Sequence, residues 1–363
     1  MVSPSSLTQP PGQPAAHWLR AVNNRLNLGA LAVHLATFAV TILGLLFVTF
    51  FIGRVMPIDP VLVILGDRAS PDVYARVHAE LGLDQPIAMQ FLSYLGKVFQ
   101  GDFGTSVLTS QSVITDISVY LPATLELALA GTLIGIFLGV PLGVISALRQ
   151  NSWLDQCVRV IALMGYSIPI FWLGLVSLLV FYVKLGWVAG VGRLDTAYEY
   201  IIERQTGFIM IDAIIHGQWE ILFNFLSHLV LPASLLGYLS MAYITRMTRA
   251  FMLEQLNQEY IITARVKGLS EWRITWHAFR NTLAQLTTVI ALSFAHLLEG
   301  AVLTETVFAW PGLGLYITNA LFGADMNAVL AGTTVIGVCF VALNVLADAL
   351  GTFFDPRTRR KRP

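Results

Sequence analysis

Residues 253–281 read LEQLNQEYIITARVKGLSEWRITWHAFRN, a polar and cationic stretch set between two long apolar segments. The pattern is that of a helix–turn–helix. A helix is expected over residues 256–267, closed by Gly268, because glycine adopts the left-handed conformation past a helix end without steric penalty. Ser270 is placed as the N-cap of a second helix, with Leu269 and Ile274 spaced for a hydrophobic staple around it. The residue three after Ser270 is Arg273, so no reciprocal capping box forms. Arg265 and Lys267 close the first helix, where cations suit the macrodipole. These features predict a stiff elbow with the small Ala264 near its corner. Loops between membrane helices are ordinarily shorter and less patterned, so this one is expected to dock in a cleft of a cytoplasmic partner.

The flanks make it the elbow of a membrane protein. Of 363 residues, 56% are hydrophobic and 12% charged, against about 25% charged in soluble domains. A formal net charge of zero offers no footprint for nucleic acid. Six stretches reach the roughly 20 apolar residues that cross a hydrocarbon core: 31–52, 123–148, 158–183, 221–245, 283–304 and 328–354. With the N-terminus inside, fifteen of the 22 Lys and Arg residues fall on the cytosolic side and seven outside. Positive charge marks the inside, so both termini are expected in the cytoplasm. Residues 246–282 are then cytosolic, and 57–121 and 184–220 face outward. Residues 1–30, with Pro4, Pro10, Pro11 and Pro14, read as a disordered cytosolic tail rather than a signal peptide. Residues 355–363 read as a basic cytosolic tail. Cys157 and Cys339 fit neither a disulfide framework nor a metal site.

Several features sit within this frame. Ser70-Pro71 and Gln85-Pro86 each open a short amphipathic helix in the first outer segment, the second broken by Gly101-Asp102-Phe103-Gly104. In the second span Gly131, Gly135, Gly139, Gly143 and Ala147 recur every four residues, which predicts close approach to a neighbouring helix. Pro141 and Pro169 each remove one intrahelical hydrogen bond from their spans. Ionisable residues inside spans are the functional candidates, since each costs about 2.5–3.5 kcal/mol at mid-bilayer. Glu126 lies near the outer end of its helix, within snorkelling reach of the interface. Asp348, near the inner end of its own, is one turn from Asn344. His296 and Glu299, three apart, share a helix face and have the spacing to share a proton.

The stretch EYIITARVKGLS followed by HAFRN resembles the EAA loop of permease subunits in ATP-binding-cassette importers. More narrowly, the chain resembles the first permease of the dipeptide/oligopeptide/nickel family. The likeness is carried by MPIDPVLVILGDRA, ELGLDQP, GDFGTS, LPATLELALAG, SIPIFWLG, TGFIMIDAIIHGQWE, HLVLPA, TETVFAWPGLG and the terminal FFDPR, in the family's order. The resemblance implies an all-α, six-span, type I importer permease with a helical periplasmic segment. Residues 31–121 would hold the first span and that segment, and residues 122–354 the five-helix core with its coupling loop at about 254–281. It implies a second homologous permease, two ABC ATPases that bind ATP and Mg, and a periplasmic substrate-binding protein, in the bacterial inner membrane. Glu259, Tyr260, Ala264, Arg265, Lys267, Gly268 and Leu269 match the elbow that docks on the ATPase. Trp310, Pro311, Gly312 and Gly314 match an outer re-entrant turn. Candidates for the translocation path are Glu126, Ser167, Pro169, His296, Glu299, Thr304 and Glu305. The chain departs from the pattern at Ile58, where glycine is usual, at Gln285, where proline is usual, and at Glu299, where a small residue is common.

The sequence contains no GxxxxGK[ST] phosphate loop, no HExxH and no GxSxG, so ATP hydrolysis must come from another subunit. No catalytic residue, metal site or bound cofactor is expected. The competing reading is an ion-driven secondary transporter or channel with a His296/Glu299 relay. Such proteins commonly carry inverted repeats, and none is visible here.

Overall fold

The computed structural model describes residues 28–55, 60–66, 70–80 and 82–354. Residues 1–27 of the expected tail at 1–30, the tail at 355–363, Ile58 and the start of its motif lie outside them, as does the side chain of Asp348, while residues 28–30 open a helix rather than end a tail. Among the described residues the secondary structure is helical, apart from an isolated bridge between Thr105 and Ser112. The chain forms two compact units, one ending at Gly44 and one beginning at Leu45. Helix α1, Leu28–Val55, contains that boundary. In the first unit the Thr41 hydroxyl donates to the Thr37 carbonyl, one helical turn back.

In the second unit the segment before the second span begins with short helices α2 (Pro60–Leu65), α3 (Pro71–Glu80) and α4 (Ile87–Phe99). Gly101 and Gly104, both with positive φ, end α4 and turn the chain. The spans follow as α5 (Val113–Leu148), α6 (Trp153–Ser167) with α7 (Ile170–Ser177), then, after the short helices α8 (Thr196–Glu199) and α9 (Ile209–Ile215), α10 (Trp219–Leu256). The elbow helix α11 (Glu259–Val266) leads to α12 (Glu271–Val307), the short α13 (Leu313–Phe322) and α14 (Met326–Phe354). Among the described residues five helices are long and apolar enough to span, and α6–α7 with its π-helical continuation Leu178–Lys184 makes a sixth if counted as one.

The third span is bent at Pro169, where a lost hydrogen bond was expected, and its two halves meet at 100°. Proline disfavours helical geometry in the residue before it, and Ile168 accordingly sits extended at φ −92°, ψ 125°. Pro141 does not break α5, nor does Pro232 break α10. Pro141 lies between Gly139 and Gly143, both pressed on α10, so packing on either side holds the helix together. Departing from the expected first elbow helix, Leu256 ends α10, and the separate α11 starts at Glu259. Where Gln285 stands in place of the usual proline, α12 runs unbroken for 37 residues.

The glycine stripe finds its partner in α10. A Cβ on Gly131 would lie 2.8 Å from that of Leu236, and one on Gly143 would lie 2.6 Å from that of Thr248. Gly135 faces Ser240 and Gly139 faces Ile244, so both helices advance together by one turn per step, in parallel. Lipid offers no hydrophobic drive between helices, so this close backbone approach is what binds the pair.

Candidate coupling elbow and translocation face

The elbow is built from backbone hydrogen bonds. The Leu269 N–H donates to the Ala264 carbonyl at 3.1 Å and the Gly268 N–H to the Arg265 carbonyl at 2.9 Å, the Schellman pair that closes a helix on a left-handed residue. Gly268 occupies φ +77°. Ser270 takes the extended N-cap backbone of α12, although its hydroxyl makes no cap bond. Ile261, Ile274 and Ala278, all fully buried, lock α11 onto the base of α12 together with Met252, and Ala264 and Leu269 lie half-buried against this cluster. The outer surface of the elbow is apolar and unpartnered in this chain: Val266 is 83% exposed and Trp272 76%. Glu259, Tyr260, Arg265, Lys267 and Gly268 are exposed around it. Arg265 reaches Glu271 at 3.8 Å, and the Tyr260 hydroxyl donates to Gln255 Oε1 at 2.9 Å. Because α12 continues from the elbow into the membrane, a push on this corner is delivered to a spanning helix.

A cavity of about 500 Å³ opens beside the break in the third span, lined by Tyr166, Pro169, Ser240, Tyr243, Arg246, Ser293, His296 and Gly300 among others. Ser240 and Ser293 share a hydrogen bond of 2.9 Å that joins α10 to α12. Polar side chains at this depth are not stable against lipid tails; they face protein or water. Of the sequence candidates, Pro169 and His296 line this cavity. Ser167 is exposed and spends its hydroxyl on the Leu163 carbonyl at 3.0 Å. His296 Nδ1 lies 2.7 Å from its own helix's Leu292 carbonyl, with the ring against Tyr243 and Phe340. Glu299 is exposed, and among the described residues no hydrogen bond or ion pair joins it to His296.

Residues 139–360 match the binding-protein-dependent transport system inner membrane component, and residues 30–128 match the N-terminal region of such membrane components. The chain belongs to this family. It is 42% identical over 318 residues to the probable D,D-dipeptide transport system permease protein of Escherichia coli strain K12, covering 87% of this chain and 93% of the relative. It is 40% identical over 337 residues to the di/tripeptide transport system permease protein of Pseudomonas aeruginosa strain UCBPP-PA14, covering 92% and 100%. The dipeptide transport system permease protein of Alkalihalophilus pseudofirmus is 40% identical over 319 residues, 88% and 95% of the two chains.

Glu126, Thr304 and Glu305 of this permease lie toward the ends of α5 and α12 remote from the elbow, away from the cavity lining. Glu305 is fully buried and takes the Thr124 hydroxyl at 2.6 Å and the Leu315 N–H at 2.9 Å. The Thr124 oxygen in turn accepts the Leu313 N–H at 2.8 Å. The turn 310–314 therefore wraps a carboxylate at the N-terminus of α13, where the helix dipole favours negative charge. A Cβ on Gly314 would lie 2.8 Å from Glu305 Oε2, which is why glycine stands there. Trp310 is buried and donates its indole N–H to the Ala123 carbonyl at 3.0 Å. Thr304 is buried with its hydroxyl unpartnered among the described residues.

Glu126 does not snorkel. It forms a buried ion pair with Arg193, whose guanidinium also donates to the Gly207 carbonyl at 3.1 Å and lies over the Phe225 and Trp310 rings at 5.9 Å each. Burial pushes the Arg193 pKa down and Glu126 draws it back up. At the elbow end of the bundle, Asp155 is fully buried and takes Arg249 Nε and Nη2 at 2.7 and 2.8 Å, the Ser146 hydroxyl at 2.5 Å and the Asn151 N–H at 3.0 Å. Arg193 entered the sequence reading only as an outer charge, and Asp155 not at all. Their partners lie 67 and 94 residues away, and no spacing signals such pairs.

Proposed function

We propose that this chain forms one half of the translocation path of an ATP-driven importer of short peptides. The observation that supports it best is the elbow: a Schellman-closed corner with an exposed apolar surface, locked to the foot of a helix that continues across the membrane. In this reading two ABC ATPase subunits, which bind ATP and Mg, receive that corner in a surface groove. A second homologous permease covers the cavity face, and a periplasmic binding protein delivers the ligand from outside. Both termini lie in the cytoplasm. Glu259, Tyr260, Ala264, Arg265, Lys267, Gly268 and Leu269 couple to the ATPase, and Pro169 and His296 face the path. The peptide assignment follows the names of the relatives, each of which is a peptide permease.

The mechanism is alternating access. ATP draws the two ATPases together, the elbows move with them, and the permease pair opens outward to accept the ligand. Hydrolysis releases the ATPases and the pair returns to facing inward. A ligand with equal affinity for both states drives no such change; the ATP-bound ATPase dimer supplies the bias. The test is transport of dialanine into proteoliposomes holding the full complex. Uptake that needs binding protein outside the vesicle and ATP in contact with the ATPase subunits, and that survives an uncoupler, supports the reading. Uptake that collapses with uncoupler and ignores ATP overturns it in favour of an ion-driven carrier.

A further inference from the structure

Among the described residues, the inner part of the cavity holds a cation that no anion answers. Arg246 lies six residues beyond Ser240 on α10, so about 9 Å nearer the cytosol. Its guanidinium lies over the Tyr166 ring at 5.1 Å and the Tyr243 ring at 5.9 Å. Among the described residues no carboxylate pairs with it and no acceptor takes its N–H groups. The neighbouring cations are differently placed, since Arg249 and Arg159 both reach Asp155 and Arg265 reaches Glu271. Arg246 alone of these lines the cavity that also holds Ser240, Ser293 and His296.

A cytosolic arginine needs no ligand to explain its charge, because positive residues mark that side of any membrane protein. What sets Arg246 apart is how it is held. Its guanidinium carbon lies over two aromatic faces, and the group keeps a fork of donors whose geometry matches a carboxylate. The cavity, at about 500 Å³, falls within the range of small-molecule sites. Its rings offer apolar surface to any side chain, whereas the fork demands one particular group.

We propose that Arg246 is the carboxylate-binding residue of the path, taking the free carboxylate of a solute as it leaves the cavity for the cytosol. The permease then contributes its own selectivity, for solutes that carry a carboxylate, beyond that of the binding protein. This rests on the reading of the cavity as the translocation path. The contact is open to water, so it binds weakly enough to let the solute go.

The experiment uses the full complex in proteoliposomes with two probes, dialanine and its C-terminal amide. The same binding protein serves every variant, so its preference divides out when acid-to-amide ratios are compared. Expected is a fall of about tenfold in dialanine uptake for Arg246→Gln, equivalent to about 1.4 kcal/mol, with the amide much less affected and only part of the dialanine uptake restored by Arg246→Lys, which keeps the charge without the fork. Unchanged dialanine uptake in Arg246→Gln overturns the proposal. So does an equal loss of both probes that Arg246→Lys fails to relieve, which is the mark of a merely structural arginine. The underlying path reading has its own control, Gly300→Cys, where an added Cβ meets nothing within 4 Å in the cavity wall, in a background with Cys157 and Cys339 replaced by alanine. Protection of that thiol from water-soluble reagents throughout turnover rejects the path reading itself. Labelling of the thiol together with an unchanged Arg246→Gln rejects the carboxylate assignment alone.

Discussion

Replacing Gly268 by valine strains the elbow without touching anything else. Nothing lies within 4 Å of a Cβ built at this position, so no clash contributes and the whole effect comes from φ +77°. A left-handed residue other than glycine costs about 1–2 kcal/mol, and β-branched side chains are the least tolerant. The chain can escape only by opening the Leu269–Ala264 and Gly268–Arg265 hydrogen bonds, worth about 0.5–1.5 kcal/mol each. A penalty of about 1–2 kcal/mol lowers the share of correctly shaped elbows roughly 5- to 30-fold. Helices α10 and α12 are untouched, so membrane insertion and assembly should survive. The assay is transport together with ATP hydrolysis stimulated by loaded binding protein, measured in proteoliposomes. Transported peptide per ATP should fall in the order Asn, Ala, Val, since asparagine tolerates the left-handed region. Wild-type coupling in Gly268→Val would refute the reasoning. A ranking by side-chain volume, with asparagine worse than alanine, would instead point to contact with a partner surface.

Three further perturbations follow from the packing. Gly143→Val drives its Cβ to 2.7 Å from the Thr245 carbonyl oxygen, a backbone atom that no rotamer change can move. Overpacking costs about 1–3 kcal/mol, so the melting temperature of the detergent-solubilised permease should drop, and an unchanged value would contradict the α5–α10 contact. Glu126→Ala strands the buried Arg193, a loss of about 3–5 kcal/mol, and the double variant Glu126→Met with Arg193→Met should be less harmful than Glu126→Ala in the same thermal assay. Asp155→Ala leaves Arg249 without its two-pronged partner, and about 3–5 kcal/mol of stability should go with it. A near-neutral result would mean that water already screens that site.

The elbow was legible because its signals are local: Gly268, Ser270 and the Leu269–Ile274 pair lie within seven consecutive positions and govern only their own backbone. The glycine stripe was legible as an interface, although its partner, α10, was not, because small residues announce close approach without naming what approaches. Hydropathy traced the spans but not their ends. Helix α5 begins at Val113, before the expected boundary at 121, since Thr115, Asp116 and Ser118 are as helical as the apolar residues that follow. Pro141 and Pro169 look alike in sequence, and only neighbouring packing decides which one breaks its helix. Glu126 read as a residue within snorkelling reach and Glu305 only as a path candidate, whereas both are buried. Their partners Arg193 and Thr124 arrive from distant segments, so placing them needed the tertiary structure.

The most direct measurement is a cysteine at position 266, on the exposed crest of the elbow, in the cysteine-free background and in the assembled complex. Short-span cross-linking from that thiol to an ATPase subunit, changing in yield between nucleotide-free and ATP-bound states, is expected. A thiol that a membrane-impermeant reagent reaches from outside intact cells would place the corner on the wrong side. Absence of any such cross-link in a complex that still transports would show that force enters this bundle elsewhere.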